Sequence, residues 1–359
     1  MRPAGPIRVL IIDDSPLLAR DLANELDRGG MIHASVSGGA AQQVRKCLLR
    51  LHPEVIVLDA ELSCGDALQL LDKLQMHYPV PVLVTARPAG DGAARAVEAV
   101  RRGALEVVCK PTGATPDLLR AYANELSSKI IMAAAHARPT APPSALAGRL
   151  LSFRQAGLVP HHWLVAIGAS TGGTKALETL LERLPGDFPP IVIVQHMPAG
   201  FTASFAMRLN ANSAAAVSEA RDGELLGPGR ALIARGDTHL VVRAMGSGWC
   251  VRYTHQRPVN RHCPSVDVLF ESVADSVGMR AVGVLLTGMG EDGARGLLKI
   301  RQAGGLTIAQ NKESCVVYGM PKVAVELGAV DLIGPPEEIP ALLTNALAER
   351  QRSRTATRT

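Results

Sequence analysis

The chain is poor in aromatic residues, with 5 Phe, 4 Tyr and 2 Trp among 359 residues. So few aromatic side chains argue against a surface that stacks the bases of single-stranded nucleic acid. The six cysteines are scattered without a C-x-x-C pair, which favours reduced thiols over a metal knuckle or disulfide framework. No apolar run approaches the ~20 residues of a membrane helix, and no signal-peptide core precedes the first aspartates. We therefore expect a cytoplasmic protein without direct membrane insertion.

The rest of the composition is that of a globular protein. Hydrophobic residues make up 47% of the chain, and its length predicts two domains at ~150 residues per domain. The net charge of +5 is concentrated in two stretches without acidic residues, 126–162 and 350–359, which hold four basic residues each. The remainder carries −3, so the folded parts present no basic face and we expect no nucleic-acid partner.

Short β-branched runs alternate with helical patterns along both halves, which predicts α/β domains with parallel sheets. The predicted strands are 9–12, 55–58, 80–84, 105–108, 163–167, 191–194, 231–233 and 281–286; the main helices are 16–28, 39–50, 66–76, 92–102, 115–135, 173–184, 200–210, 266–278 and 292–303. A Pro-rich stretch at 137–148 separates the halves. We assign 1–125 to the first domain, 126–160 to a linker, 161–349 to the second domain and 350–359 to a basic tail.

Polar residues follow the predicted strands of the first domain. Asp13 and Asp14 come directly after the first strand, Asp59 ends V-I-V-L-D, Thr85 follows the next strand and Lys110 the last. Each aspartate alone is well explained as a helix cap. Because parallel strands end at one edge of a sheet, the set together predicts converging carboxylates that need a hard divalent cation such as Mg²⁺.

This set of residues resembles the receiver domain of bacterial response regulators, which implies a flavodoxin-like five-stranded parallel sheet. The resemblance implies phosphorylation at Asp59, and Mg²⁺ bound by Asp13, Asp14, Asp59 and the carbonyl of Glu61. It further implies that Thr85 senses the phosphoryl group and that Lys110 pairs with it. The sequence departs from the receiver pattern at 62–67, where Met-Pro-x-Met-Asp-Gly is usual, and at Val107, where an aromatic switch residue is usual.

The second domain opens with a strand that ends in G-A-S-T-G-G at 168–173. This string places Ser170 on a tight turn before a helix and satisfies the nucleophile pattern G-x-S-x-G. The alternative is a Ser or Thr helix cap with glycines chosen for the turn. A phosphate-binding P-loop is disfavoured because Lys175 comes one position too late in the motif. A dinucleotide-binding fingerprint is disfavoured because Ser170 occupies the position of its second glycine.

Two further strand ends carry residues that fit a nucleophilic site. His196 follows I-V-I-V-Q, and Asp292 lies in the glycine-rich T-G-M-G-E-D-G-A after another strand. A serine that attacks, a histidine that takes its proton and an aspartate that orients the imidazole form a catalytic triad. The chain order Ser, His, Asp differs from that of the α/β-hydrolases and disfavours that family.

The motifs G-A-S-T-G-G, Q-H-M-P and T-G-M-G-E-D-G-A resemble the catalytic domain of the CheB family of chemotaxis protein-glutamate methylesterases. The stretch Pro258–Phe270 is also similar to that family, as a part of the site or as a core-packing loop. The resemblance implies a doubly wound, Rossmann-like esterase domain without a cofactor. It implies Ser170 as nucleophile, His196 as base and Asp292 as orienting residue, with Thr171 and the Met289 backbone near the oxyanion.

The implied activity is hydrolysis of γ-glutamyl methyl esters on methyl-accepting chemoreceptors, with glutamine deamidation as a second activity. A chemotaxis histidine kinase would phosphorylate the receiver, which covers the active site until then. The alternatives are a receiver with a DNA-binding output, a receiver with a nucleotide-binding module, and a catalytically idle docking protein. The sequence shows no helix-turn-helix or basic recognition face for the first of these.

Overall fold

The computed structural model describes residues 5–63, 66–88, 90–113, 115–135, 153–255 and 257–356, with side chains as far as 352. The chain divides into two compact units, 1–139 and 140–359. The Pro-rich stretch predicted as the central linker lies outside the described residues.

The N-terminal unit alternates strands and helices in the predicted manner. In chain order its elements are β1 (Ile7–Ile12), α1 (Pro16–Asp27), β2 (Ile32–Ser37), α2 (Ala41–Leu51), β3 (Val55–Asp59), α3 (Ala67–His77), β4 (Val82–Ala86), α4 (Asp91–Arg101), β5 (Glu106–Cys109) and α5 (Pro116–Ala135). The strands pair in parallel in the order β2-β1-β3-β4-β5, which is the flavodoxin-like order and confirms the predicted sheet.

The predicted boundary at 125 is wrong, because α5 continues through it for ten residues. Leu126 and Ile130 are fully buried and Ala133 almost so, and all three belong to the core that covers β1 and β3. Their spacing of four and three keeps them on one helix face, so burial of that face holds the helix together to Ala135.

The C-terminal unit contains a larger parallel sheet. After a 3₁₀ turn at Pro160–His162, its elements are β6 (Leu164–Ala169), α6 (Gly173–Leu181), β7 (Ile191–Gln195), α7 (Thr202–Asn212), β8 (Ala216–Glu219), β9 (Arg230–Ile233), β10 (His239–Met245), β11 (Gly248–Thr254), α8 (Val266–Val277), β12 (Ala281–Leu285), α9 (Ala294–Gln302), β13 (Leu306–Gln310), α10 (Met320–Glu326), β14 (Leu332–Gly334) and α11 (Ile339–Ala356). Seven strands pair in parallel in the order β14-β13-β12-β6-β7-β9-β8, and β10 and β11 form a separate antiparallel hairpin. The prediction of two α/β domains is confirmed.

The C-terminal unit begins before the predicted residue 161. Phe153 is fully buried, and its ring packs edge-on against Phe188 with the centroids 5.1 Å apart. Its backbone N–H also donates to the Asp187 carboxylate at 3.0 Å. An aromatic side chain buried in this way belongs to the domain core rather than to a linker.

The predicted basic tail also begins too early. Helix α11 runs to Ala356, and Arg350 donates from Nη1 to the Gly304 carbonyl at 2.9 Å. Arg350 Nη2 also lies 3.6 Å from the Asp331 carboxylate. The first residues of the stretch 350–359 are therefore anchored to the unit by hydrogen bonds that their polar sequence did not reveal. Among the helices of the described ranges, none combines the length and the apolar character needed to cross a bilayer.

Candidate active site

The strand register places Ser170 and His196 side by side. Ala169 at the end of β6 pairs with Gln195 at the end of β7, so the next residue of each strand emerges at the same sheet edge. The Gln195 side chain connects these two turns, because its Nε2 donates to the Ser170 carbonyl at 3.0 Å and to the His196 carbonyl at 3.2 Å. The Gln195 side chain thus fixes the backbone at both Ser170 and His196.

The turn that carries Ser170 depends on glycine. Gly172 has φ +78°, a left-handed backbone, and a Cβ there would lie 2.5 Å from Val316. Gly288, in the loop after β12, lies so close to Ser170 that a Cβ added at Gly288 would be 2.7 Å from the Ser170 Cβ. The Ser170 N–H donates to the Thr287 carbonyl at 3.0 Å, which fixes the serine turn against that loop.

The loop after β12 also delivers the predicted aspartate to the predicted histidine. The His196 Nε2 and Asp292 Oδ2 atoms lie 2.8 Å apart, and both side chains are nearly inaccessible to solvent. The other ring nitrogen, Nδ1, is buried and has no hydrogen-bond partner among the described residues. The structure therefore forms the His196–Asp292 pair, whereas the Ser170 hydroxyl does not donate to the imidazole in this state. Hydrogen bonds of this kind are often looser before substrate binds.

Asp292 is held by donors on every side. Besides His196, its carboxylate accepts from Val266 N at 2.7 Å, Ser265 Oγ at 2.7 Å, Asn260 Nδ2 at 2.8 Å and Asp267 N at 3.2 Å. Burial raises the pKa of Asp292, but the hydrogen bond and charge of His196 and these donors outweigh it, so the pKa lies well below its usual range. The carboxylate is therefore ionised and rigidly oriented toward the imidazole.

Sequence reasoning missed several polar neighbours of the pair, in the segment before α8 and at the start of β10. The His262 ring stacks on His196 with the centroids 3.7 Å apart and the planes 9° from parallel. Buried His239 accepts from the Ser265 N–H at 3.1 Å and so helps to position a donor to Asp292. Of the two readings of Pro258–Phe270, the contacts favour a part of the site. The available signal was the density of polar residues in P-V-N-R-H-C-P-S-V-D immediately before a helix.

The two predicted oxyanion residues lie beside the serine turn. Thr171 is buried, and its carbonyl accepts from Thr287 Oγ1 at 2.9 Å. Met289 follows Gly288 directly, and its side chain is half-exposed at the rim. Their roles at an oxyanion stay predictions.

Lys175 does not behave as a phosphate-binding lysine. It lies within α6, where its exposed side chain pairs through Nζ with Oε2 of the buried Glu178 at 3.3 Å. This placement agrees with the sequence argument against a P-loop.

In the N-terminal unit, Asp13, Asp59 and Lys110 form a buried cluster at the ends of β1, β3 and β5. Lys110 Nζ lies 2.8 Å from Asp13 Oδ2 and 2.7 Å from Asp59 Oδ2. Burial raises the pKa of Asp59, although the neighbouring Lys110 ammonium opposes that rise. Thr85 pairs with Asp59 in the register of β3 and β4, so its hydroxyl reaches the same edge.

The other two predicted metal ligands are the Asp14 carboxylate and the Glu61 backbone carbonyl. Asp14 accepts from Gly39 N at 2.8 Å and from Ser63 N at 2.7 Å, and the Glu61 side chain pairs with Arg87 at 3.2 Å. Within the described ranges no three acidic, His or Cys side chains are grouped as metal ligands. The donor chemistry nevertheless fits a hard divalent cation, since three carboxylates share this edge with one ammonium. The ligand set stays a prediction.

These features define a class: a response regulator whose receiver is joined to a hydrolase domain built on a parallel α/β sheet. A family model described as "CheB methylesterase" matches residues 165–343, and one described as "Response regulator receiver domain" matches residues 9–123. The chain belongs to the CheB methylesterase family.

Relatives with both domains support this assignment over nearly the whole chain. Proteins named protein-glutamate methylesterase/protein-glutamine glutaminase from Sulfurimonas denitrificans and Pseudomonas aeruginosa (number 2) are 41% and 44% identical to it. Each match covers 96% of this chain, and 99% and 98% of the relative. The crystal structure of the Thermotoga maritima CheB methylesterase catalytic domain is 42% identical, with a TM-score of 0.50 over 51% of this chain and 98% of that one.

Proposed function

We propose that this protein is a protein-glutamate methylesterase regulated by phosphorylation of its receiver. Its substrates would be γ-glutamyl methyl esters on chemoreceptors, and receptor glutamines would be deamidated by the same site. The observation that carries the proposal is the buried His196–Asp292 pair. The strand register sets His196 next to Ser170, and its Nδ1 has no hydrogen-bond partner among the described residues. The names of the relatives supply the substrate class.

The first half of the reaction forms an acyl-enzyme. Ser170 Oγ attacks the ester carbonyl carbon while His196 Nδ1 takes the hydroxyl proton, and Asp292 offsets the charge of the resulting imidazolium. Backbone N–H groups at Thr171 and Met289, together with the N-terminus of α6, would stabilise the oxyanion. Collapse of the tetrahedral intermediate breaks the bond to the methoxy oxygen, which takes the proton from Nδ1 and leaves as methanol.

The second half regenerates the enzyme. Nδ1 takes a proton from water as the water oxygen attacks the acyl carbon, and the Ser170 oxygen leaves with that proton. The product is a glutamate side chain. A glutamine amide follows the same route, with ammonia in place of methanol.

Regulation would run through the cluster at Asp59. Its carboxylate would accept a phosphoryl group from a histidine kinase, Thr85 would respond to that group and Lys110 would pair with it. Asp13, Asp14, Asp59 and the Glu61 carbonyl would hold Mg²⁺, which supplies positive charge against the phosphoryl oxygens. The output is a shift between two arrangements of the domains that differ in access to Ser170.

The test is methanol release from membranes that carry a methylated chemoreceptor, with and without a small phosphodonor and Mg²⁺. We expect release from the wild type, none from Ser170→Ala, and a phosphodonor response that Asp59→Ala abolishes. Methanol release that does not respond to the phosphodonor would contradict the proposed regulation but not the proposed esterase activity. Absence of release from every receptor tested would favour the docking-protein alternative, and ATP binding lost in Lys175→Ala would favour the nucleotide-binding one.

A further inference from the structure

Asn260 bridges two buried carboxylates next to the proposed base. Its Nδ2 lies 2.8 Å from Asp292 Oδ1 and 2.8 Å from Asp267 Oδ2. The carboxamide nitrogen has two N–H donors, and carboxylates only accept, so each acid takes one of them. One side chain thus connects the loop after β12 with the first turn of α8.

The partner acid is itself fixed, which makes the bridge rigid. Asp267 is nearly inaccessible, and its Oδ1 accepts from the Gly296 N–H in α9 at 2.7 Å. Burial and the nearby negative charge of Asp292 raise the pKa of Asp267, although the Gly296 and Asn260 donors oppose this. Two carboxylates this close destabilise each other unless donors lie between them. Asn260 is such a donor.

Asn260 and the imidazole use different oxygens of the Asp292 carboxylate, and the Val266 N–H donates to the same oxygen as the imidazole. Asn260 binds Oδ1, whereas His196 Nε2 lies at Oδ2. If Asn260 were absent, the Asp292 carboxylate would lose a charged hydrogen bond and face Asp267 without the intervening amide. Rotation of Asp292 or proton uptake by the acid pair would then weaken its hold on the imidazole proton.

We propose that Asn260 is a positioning residue of the hydrolase site, which acts on His196 through Asp292 by bridging Asp292 and Asp267. This inference rests on the Ser-His-Asp mechanism of the proposed function. It goes beyond that proposal because it assigns a specific task to the segment before α8.

The competing explanation is that Asn260 is required only for the backbone conformation of the turn in which it lies. Asn260 has φ +51° and Arg261 has φ +68°, both in the left-handed region where asparagine and glycine are tolerated best. Asn260→Gly separates the two roles, since it keeps the backbone free of strain while it removes the carboxamide. Asp237→Gly is the matched control, because Asp237 is exposed, has φ +63° and lies outside Pro258–Phe270.

The experiment uses the full-length protein with phosphodonor and Mg²⁺ throughout. We expect Asn260→Gly to lower kcat for methanol release by about 10- to 100-fold at nearly constant KM, as loss of a hydrogen bond to a charged group implies. Asp237→Gly should keep kcat within about twofold of the wild type, as for an exposed side chain outside the network. In an Asp292→Asn background, Asn260→Gly should add less than about a twofold loss, because the effect passes through Asp292.

A second readout needs no receptor. The rate at which an activated fluorophosphonate labels Ser170, with Ser170→Ala as the blank, should fall in Asn260→Gly in parallel with kcat. Wild-type kcat and labelling in Asn260→Gly, or an equal loss in Asp237→Gly, would overturn the inference and leave the esterase intact. So would an undiminished effect of Asn260→Gly in the Asp292→Asn background. A wild type that neither releases methanol nor labels at Ser170 would overturn the proposed function as well.

Discussion

At the scale of single residues, the hydrolase site depends on the orientation of one imidazole. Asp292 Oδ2 lies at His196 Nε2, so the proton of the neutral ring is on Nε2 and Nδ1 is left as the basic atom. The orientation depends in turn on the four further donors that fix the Asp292 carboxylate. In the proposed mechanism, the orientation of Asp292 therefore determines how well His196 can take the proton of Ser170.

Asp292→Asn tests this arrangement. An amide at this position can present its NH₂ to Nε2, which reverses the tautomer and places a proton on Nδ1, where the serine proton must go. We expect kcat to fall about 10³- to 10⁴-fold, the order found for this exchange in serine proteases. Glu291→Gln is the control, because Glu291 is an exposed acid one position earlier. Methanol release measures both variants, and an Asp292→Asn enzyme within tenfold of wild type would contradict the triad.

At the scale of elements, the domain boundary assigned at 125 divides α5, although the predicted helix 115–135 matches the extent of α5 closely. Its residues beyond 125 bury apolar side chains against the receiver sheet, and Lys129 pairs with buried Glu106 of β5 at 2.5 Å. Helix α5 is therefore a structural part of the receiver over its whole length.

Ile130→Ala measures this contribution. Ile130 is fully buried, so its truncation should lower the free energy of unfolding of the receiver by about 2–4 kcal/mol. Ile131→Ala is the matched control and should cost about half as much or less, because Ile131 is only partly buried. Thermal unfolding followed by circular dichroism reports the change. Both tryptophans, Trp163 and Trp249, lie in the C-terminal unit, so the fluorescence transition should not move. Equal costs for the two variants would mean that the helix does not pack as described.

At the scale of the whole molecule, the receiver cluster and the hydrolase site lie in separate units. In the described state, Lys110 pairs with Asp13 and Asp59, while Asp14 accepts from Gly39 and Ser63. Phosphorylation would add negative charge to this cluster and change those pairings. Any effect on methanol release must therefore pass from one unit to the other.

Removal of Mg²⁺ should separate basal methanol release from the stimulation of that release by a phosphodonor. We expect EDTA to abolish the stimulation of methanol release by a small phosphodonor, because the acidic cluster then lacks the cation that offsets the phosphoryl charge. Basal release should persist, since the proposed triad uses no metal. Added MgCl₂ should restore the stimulation in the wild type and have no effect in Asp59→Asn. Basal release that also disappears with EDTA would contradict the metal-free esterase mechanism.

The strand ends, and with them the positions of Ser170, His196 and Asp292, were predictable from the amino-acid sequence. Buried parallel strands are short apolar runs with a clear boundary, and the register brings consecutive boundaries to one edge, as Ala169 opposite Gln195 demonstrates. Weakly patterned elements were missed. Edge strand β2 has the mixed sequence I-H-A-S-V-S, and the β10–β11 hairpin follows no βα alternation.

The polar residues that surround the His196–Asp292 pair were not predictable from the sequence. Nothing in local periodicity indicates that the Asn260 amide lies between Asp267 and Asp292, because that contact joins segments 32 residues apart in the chain. The same holds for the stacking of His262 on His196. A hydrogen-bond network depends on distances that packing sets to a fraction of an ångström, whereas a sequence pattern reports only which face of an element is buried.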